Sequence, residues 1–170
     1  FAQSDLESSV IFSAGMNPRL YGYIAKFDDF FPDKNGRIKK KIVLKVSDYR
    51  SAVIQGKFLA KKGLWVSEYR IESGLNCGGH AFATNGFLMG PILAEFRDRR
   101  QELIDEIFEV CKSALSDFEK IVPTRTLPVK ITAQGGVATP EEHAFLIDYY
   151  NLDSVGWGTP FLLVPEVTNV

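Results

Sequence analysis

Two stretches of the sequence end an apolar run in glycine, where bare backbone could do chemistry. Gly135-Gly136 follows the run Val129 to Ala133, and Gly158-Thr159 follows Asp153 to Trp157. A strand that ends this way presents unshielded N–H groups at the C-terminal rim of a parallel sheet, where anions are held. Two such turns on successive strands point to a phosphate, with Gly135, Gly136, Gly158 and Thr159 as its ligands. The plainer use of the same glycines is a tight strand-to-helix turn. A second constellation, Gly74-Leu75-Asn76-Cys77-Gly78-Gly79-His80, follows another strand-like run. A histidine on such a loop is placed for proton transfer near neutral pH; a histidine that only hydrogen-bonds its own loop is the alternative. Cys77 and His80 have a spacing that metals use, but two ligands without a second cluster fall short of a closed site. Cys77 as a nucleophile lacks a partner, because His143 is expected on the exposed side of a helix.

The elements that would position these residues alternate between short β-branched runs and longer amphipathic stretches, the pattern of βα units. Strands are expected at Val10 to Phe12, Lys41 to Val46, Leu64 to Ile71, Val129 to Ala133 and Ser154 to Gly156. Ile42-Val43-Leu44 is apolar without alternation, as in a strand covered on both faces. Ser47 or Asp48 caps a helix through about Ala60, with Ile54 and Phe58 four apart on one face and Gly63 as its stop. The longest helix runs from about Ile92 to Glu119, with Leu93, Phe96, Leu103, Ile107, Phe108, Cys111, Leu115 and Phe118 at helical spacing and a break expected near Asp98 to Gln101. Thr139-Pro140-Glu141-Glu142 reads as a capping box with proline in the first helical position. Phe145, Leu146 and Tyr149 form the expected buried stripe of that last helix.

With 20 basic and 21 acidic side chains the chain has no net field to recruit nucleic acid or an anionic membrane. The basic run Arg37 to Lys41, beside the Asn35-Gly36 turn, reads as a solvated approach to a strand. Only Cys77 and Cys111 are present, which gives no disulfide framework and fits a reducing, cytoplasmic setting. No apolar stretch approaches the ~20 residues that span a bilayer. The whole of 1–170 reads as a single domain, and its beginning at Phe1 suggests a piece of something larger.

Ile71 to Phe82 (IESGLNCGGHAF), Leu127 to Glu142 (LPVKITAQGGVATPEE) and Leu152 to Glu166 (LDSVGWGTPFLLVPE) together resemble the nitronate monooxygenase family, also called 2-nitropropane dioxygenase-like, and its flavin-dependent enoyl-reductase relatives. The resemblance runs from about Ile42 to Glu166 and is strongest from Leu127 onward. It implies an FMN-binding (β/α)8-type parallel barrel, of which this α/β chain would be the C-terminal part, about five of the eight strands. By resemblance, His80 matches the active-site histidine that moves a proton beside the flavin, and Gly79 approaches the flavin. Gln134, Gly135 and Gly136 match one phosphate-side segment, and Gly156, Trp157, Gly158 and Thr159 match the other. The implied activity is that of an FMN-dependent oxidoreductase acting on a small molecule.

The sequence departs from that family in several places. Asn76-Cys77 stands where the family shows Glu-Ala before Gly-Gly-His, Pro160 interrupts the threonine-to-phenylalanine step, and the helical stretch after His80 is long. The first three strands have no counterpart, so the rest of a longer chain, a partner chain or self-association is expected to complete the barrel and cover half an apolar core. A flavin-independent phosphate-binding barrel, acting as a lyase or isomerase, and a non-catalytic barrel segment are the rival readings.

Overall fold

A computed structural model describes residues 1–72, 89–135 and 137–157. The strands are β1 (Ser8–Phe12), β2 (Lys40–Val46), β3 (Val66–Glu72), β4 (Lys130–Gln134) and β5 (Ser154–Gly156), and the helices α1 (Pro18–Ile24), α2 (Tyr49–Ala60), α3 (Met89–Asp98), α4 (Arg100–Asp117) and α5 (Pro140–Tyr150). The strands form one five-stranded sheet in the order β1-β2-β3-β4-β5, and every pair is parallel. The order never reverses. Right-handed crossovers between neighbouring parallel strands therefore place every connecting helix on the same side. The helices accordingly touch one another in a continuous layer, α2 against α3 and α4, and α3 against α5.

Alternation along the strands divides the sheet into two unlike faces. Leu44, Val46, Tyr69, Ile71, Ile131 and Ala133 are buried. Tyr69 marks their face as the helix side, because its hydroxyl lies against Gly56 of α2. The other face carries Lys41, Val43 and Lys45 on β2, Glu68, Arg70 and Glu72 on β3, and Lys130, Thr132 and Gln134 on β4. The expected half-core of apolar side chains on this face is corrected: among the described residues only Val43 is a buried aliphatic there, and Ile11 beside it is exposed. Residues 42–44 are thus apolar on both sides for a short stretch, with charges directly before and after.

Local signals explain most element boundaries. The Asp48 carboxylate accepts from the Ser51 amide at 2.7 Å and starts α2, and Gly63, at φ +72°, ends the turn that follows it. The inner face of α2 is Tyr49, Ala52, Gln55, Gly56 and Leu59, whereas Ile54 is exposed and Phe58 half-buried. The helix is rotated from the expected face because small residues let it lie close on β3. The charged stretch at Asp98 to Gln101 does break the long helix, with α3 ending at Asp98 and α4 starting at Arg100. Phe118 lies past the last turn of α4 and is exposed, while the other expected core positions of that helix are buried. Burial also pushes the Cys111 thiol up to about 12.

Two polar anchors sit inside this frame. Arg100 donates to the Asn151 carbonyl at 2.9 Å and to the Asp153 carboxylate at 2.6 Å, and that carboxylate accepts from the Ile131 amide at 2.6 Å. The start of α4 is thereby tied to β4 and β5. Lys40 is fully buried rather than solvated, a correction to the reading of the basic run. Its ammonium donates to the carbonyls of Ala2 (2.8 Å) and Ser4 (2.5 Å) and pairs with Asp29 at 3.0 Å, using all three of its protons. Arg37 and Lys39 are paired too, with Glu7 and Asp29.

Among the described residues, Tyr69 Oη is the buried side-chain polar atom without a hydrogen-bond partner, and a Cβ on Gly56 would clash with it. Gly56→Ala is expected to cost about 1–3 kcal/mol by overpacking. Tyr69→Phe should be neutral or stabilising by about 1 kcal/mol, since it removes an unpaired hydroxyl, and should recover part of the Gly56→Ala loss. Urea unfolding of the two single variants and the double variant checks both.

Lys40→Met should cost about 1–3 kcal/mol through the carbonyls of Ala2 and Ser4 that lose their donor. The Lys40 and Lys39 ammoniums hold the Asp29 carboxyl below the usual carboxylate range. A lowered folded-state value means that this contribution is complete above the ordinary aspartate value of about 3.9 and is lost as pH falls through the lowered one. Stability measured from pH 6 to pH 2 should fall less steeply in Lys40→Met than in the wild type.

Candidate functional site

The C-terminal ends of β4 and β5 bring four of the expected site residues together. Gln134 and Gly156 are paired across the ladder, and the Gly135 amide donates to the Gly156 carbonyl at 3.1 Å. Gly135 has φ +95°, a backbone that side-chain-bearing residues rarely adopt, so the turn after β4 requires glycine. Gly156 is needed for a different reason. A Cβ there would meet Gln134 Cγ at 3.0 Å, so the side chain of Gln134 lies over the bare backbone of β5. Trp157 follows directly. Gly79, His80, Gly136, Gly158 and Thr159 lie outside the described residues, as does Cys77.

The first turn of α5 stands behind these turns and forms the capping box its sequence announces. The Thr139 hydroxyl accepts from the Glu142 amide at 3.2 Å, and the Glu142 carboxylate accepts from the amides of Ala138 (2.8 Å) and Thr139 (3.2 Å). A carboxylate of the chain itself therefore already occupies the positive end of this helix. The Gly135 N–H is likewise used within the sheet. Gly135 thus contributes shape rather than a free donor.

His143 departs from the expected exposed position. It is half-buried, and its Nδ1 accepts from the Trp157 indole N–H at 2.8 Å. A neutral imidazole that accepts at Nδ1 carries its proton on Nε2. The buried stripe of α5 is correspondingly rotated: His143, Leu146, Ile147 and Tyr150 are partly buried, whereas Phe145 and Tyr149 are 52% and 54% exposed and stack on each other. Trp157 pulls the helix onto that face.

In front of the rim, the face away from the helices is charged, and its partly buried charges are paired with one another. Lys45 bridges to Glu72 at 2.7 Å. One layer below, Glu68 accepts from Arg70 at 2.9 Å and from the Thr132 hydroxyl at 2.8 Å. Glu72 is 10% and Glu68 17% exposed at the side chain, so these are partly desolvated pairs. Glu72, Gln134 and Gly156 form one row across β3, β4 and β5. The period of two in Glu68-Tyr69-Arg70-Ile71-Glu72 marks this face in the sequence, but charge alternation on a strand is read first as solvent exposure.

Among the described residues no group of three or more histidine, cysteine, aspartate or glutamate side chains is arranged to hold a metal. A hollow of about 540 Å³, lined by Glu7, Asp28, Asp29, Asp33, Arg37 and Lys120 among others, lies where β2 begins, away from the glycine turns. Three of its carboxylates are paired within it, Glu7 with Arg37, Asp29 with Lys39 and Asp28 with Lys120, while Asp33 accepts from the Asn35 and Arg37 amides. No described helix is long and apolar enough to cross a membrane.

No family model matches the chain, and no curated protein matches it. Among solved structures, it is similar to the enoyl reductase domain of MlnA from the macrolactin biosynthesis cluster of Bacillus amyloliquefaciens, with 18% identity and a TM-score of 0.51 over 89% of this chain. The chain spans about a third of that structure's length, 34%. At this identity the likeness is one of fold: parallel α/β architecture is shared. The solved relative is an enoyl reductase domain and not a nitronate monooxygenase.

The two rim glycines separate backbone need from side-chain crowding. Gly135→Ala is expected to cost about 1–2 kcal/mol for its left-handed backbone. Gly156→Ala should cost less than about 1 kcal/mol, because the flexible end of Gln134 can swing aside. Urea unfolding midpoints of the two variants provide the check, and equal losses would contradict this division.

Proposed function

We propose that the chain is the C-terminal part of an FMN-dependent oxidoreductase of the βα-barrel type, with the flavin phosphate held between the turns after β4 and β5. The observation that carries this reading is the one-sided winding of the sheet. A strand order without reversal, helices on one face and a charged opposite face whose partly buried groups are paired suit a sheet that curls around its polar side. A doubly wound sheet, by contrast, has helices on both faces and binds where the strand order reverses. In barrels, the turns after the last two strands are the recurrent phosphate site.

The residues fit this use. Gly135 supplies the sharp turn, Gln134 lies over Gly156 at the rim, and Trp157 is fixed against α5. Gly136, Gly158 and Thr159 would provide the remaining phosphate contacts and Gly79 the approach to the ring system, as the family resemblance implies. His80 would act as general acid or base beside the flavin. The cofactor supplies hydride or electron transfer when bound, and the chain supplies position, proton and polarity. Because the resemblance extends to flavin-dependent enoyl reductases and the similar solved structure is an enoyl reductase domain, we favour an activated enoyl compound over a nitronate as substrate.

The test is a visible absorption spectrum of the purified chain, and of the whole polypeptide where these residues belong to a longer one, with the released cofactor weighed after denaturation. A flavin spectrum with the mass of FMN is expected, together with loss of turnover of an enoyl substrate in His80→Ala. Failure of added FMN to bind would overturn the flavin reading and leave a phosphate-binding barrel without a flavin. Turnover of a nitronate, and of no enoyl compound, would move the substrate to the other branch.

A further inference from the structure

Away from the glycine turns, a hollow of about 700 Å³ opens between two loops that each precede a strand, the turn at Lys34 to Arg37 before β2 and the stretch Val122 to Pro128 before β4. All strands run parallel, so this hollow sits at the end of the sheet opposite the rim. Its charge is of one sign: Lys34, Arg37 and Arg125 line it, and no carboxylate does. Among the described residues neither Lys34 nor Arg125 has an acidic partner. Glu7 engages Nε and Nη2 of Arg37 in an exposed pair that contributes little, which leaves Nη1 for another acceptor. Asp33, the carboxylate of the same turn, accepts from the Asn35 amide at 2.8 Å and the Arg37 amide at 2.9 Å.

The sequence builds the second loop as a wall of donors. Pro123 and Pro128 restrict φ and remove two N–H groups, so the residues between them join neither α4 nor β4. Leu127 is buried, and its Cδ2 would lie 3.2 Å from a Cβ on Gly36; with φ +76° and no side chain, Gly36 lets the two loops close on each other. The Pro128 carbonyl accepts the Trp65 indole N–H at 3.0 Å. Next to these anchors the amides of Thr124, Arg125 and Thr126 donate to no other group among the described residues. The two threonines line the same hollow.

We propose that this hollow binds a phosphorylated small molecule, its phosphate or diphosphate met by Lys34, Arg37, Arg125 and the free amides of residues 124–126. The body of the ligand lies against Val122 and Pro128, which line the hollow beside them. Guanidinium forks and backbone N–H groups are donors that match phosphate oxygens, and the volume is that of a small-molecule site. The proposal stands apart from the flavin reading, because no residue of the rim takes part in it.

Inorganic pyrophosphate, ADP and adenosine, each titrated into 15N-labelled protein and followed by backbone amide signals, provide the test. Pyrophosphate and ADP should shift the signals of Thr124, Arg125 and Thr126, and adenosine should not. Raising the salt from about 0.05 M to about 0.5 M should weaken the binding of both anions. Lys34 and Arg125 are exposed, so Lys34→Ala and Arg125→Ala should keep the wild-type unfolding midpoint. Each should weaken ADP about tenfold, the equivalent of one lost charge-assisted hydrogen bond. Arg19→Ala, which removes a cation from a different hollow beside α1, should leave ADP binding unchanged.

Absence of binding by either anion at millimolar concentration would overturn the site, as would an ADP affinity indifferent to both Lys34→Ala and Arg125→Ala. Shifts confined to Gly135, Gly156 and Trp157 would place the anion at the rim and overturn it as well. Binding of pyrophosphate but not of ADP would overturn the place given to the body of the ligand.

Discussion

A parallel sheet wound in one direction has its connecting helices on one face, so the opposite face must be made stable by other means. Here that face is not an unfinished hydrophobic core. It carries Lys45 with Glu72, and Glu68 with Arg70 and Thr132, each carboxylate meeting a donor on its own or a neighbouring strand. Partly desolvated pairs of this kind add little net stability, yet removing one partner is costly. They suit a surface that is sometimes wet and sometimes enclosed. The same pairs place polar groups directly in front of the rim where the glycine turns lie.

The contacts that fix the fold lie away from the glycine rim. On the helix side, Tyr69 packs against Gly56 so closely that a methyl group would not fit. Arg100 and Asp153 fasten β4 and β5 to the start of α4. At the beginning of β2, Lys40 gathers the N-terminal residues by satisfying their carbonyls. These are fixed, well-satisfied contacts away from the rim. At the rim, order depends on fewer bonds: a positive-φ glycine, a side chain lying over bare backbone, and one indole held by one imidazole.

Much of the frame was legible in the sequence because it rests on local chemistry. Strand positions were read from apolar runs, the α5 capping box from Thr139, Pro140 and Glu142, and the helix break from the charges at Asp98 to Gln101. Orientation within an element was less legible, because it is decided by what packs from afar. Ile54 and Phe58 have helical spacing, but α2 turns its small residues to Tyr69. Phe145 and Tyr149 look like a core stripe, but the bond from Trp157 to His143 turns α5 the other way. Of the candidate site residues, Gln134, Gly135, Gly156 and Trp157 lie together at the ends of β4 and β5, and the two glycines do different things there. The role of the charged strand face escaped the sequence reading because alternating charge is the usual mark of a strand facing water.

The central claim is that the polar face looks into a barrel and that the rim of β4 and β5 holds the phosphate of FMN. A crystal structure of the complete polypeptide with FMN tests both parts at once. Further strands are expected to close on the side of Lys45, Arg70 and Glu72, with the flavin phosphate within hydrogen-bond distance of the two glycine turns. A second layer of helices over that face, or FMN bound away from those turns, would contradict it.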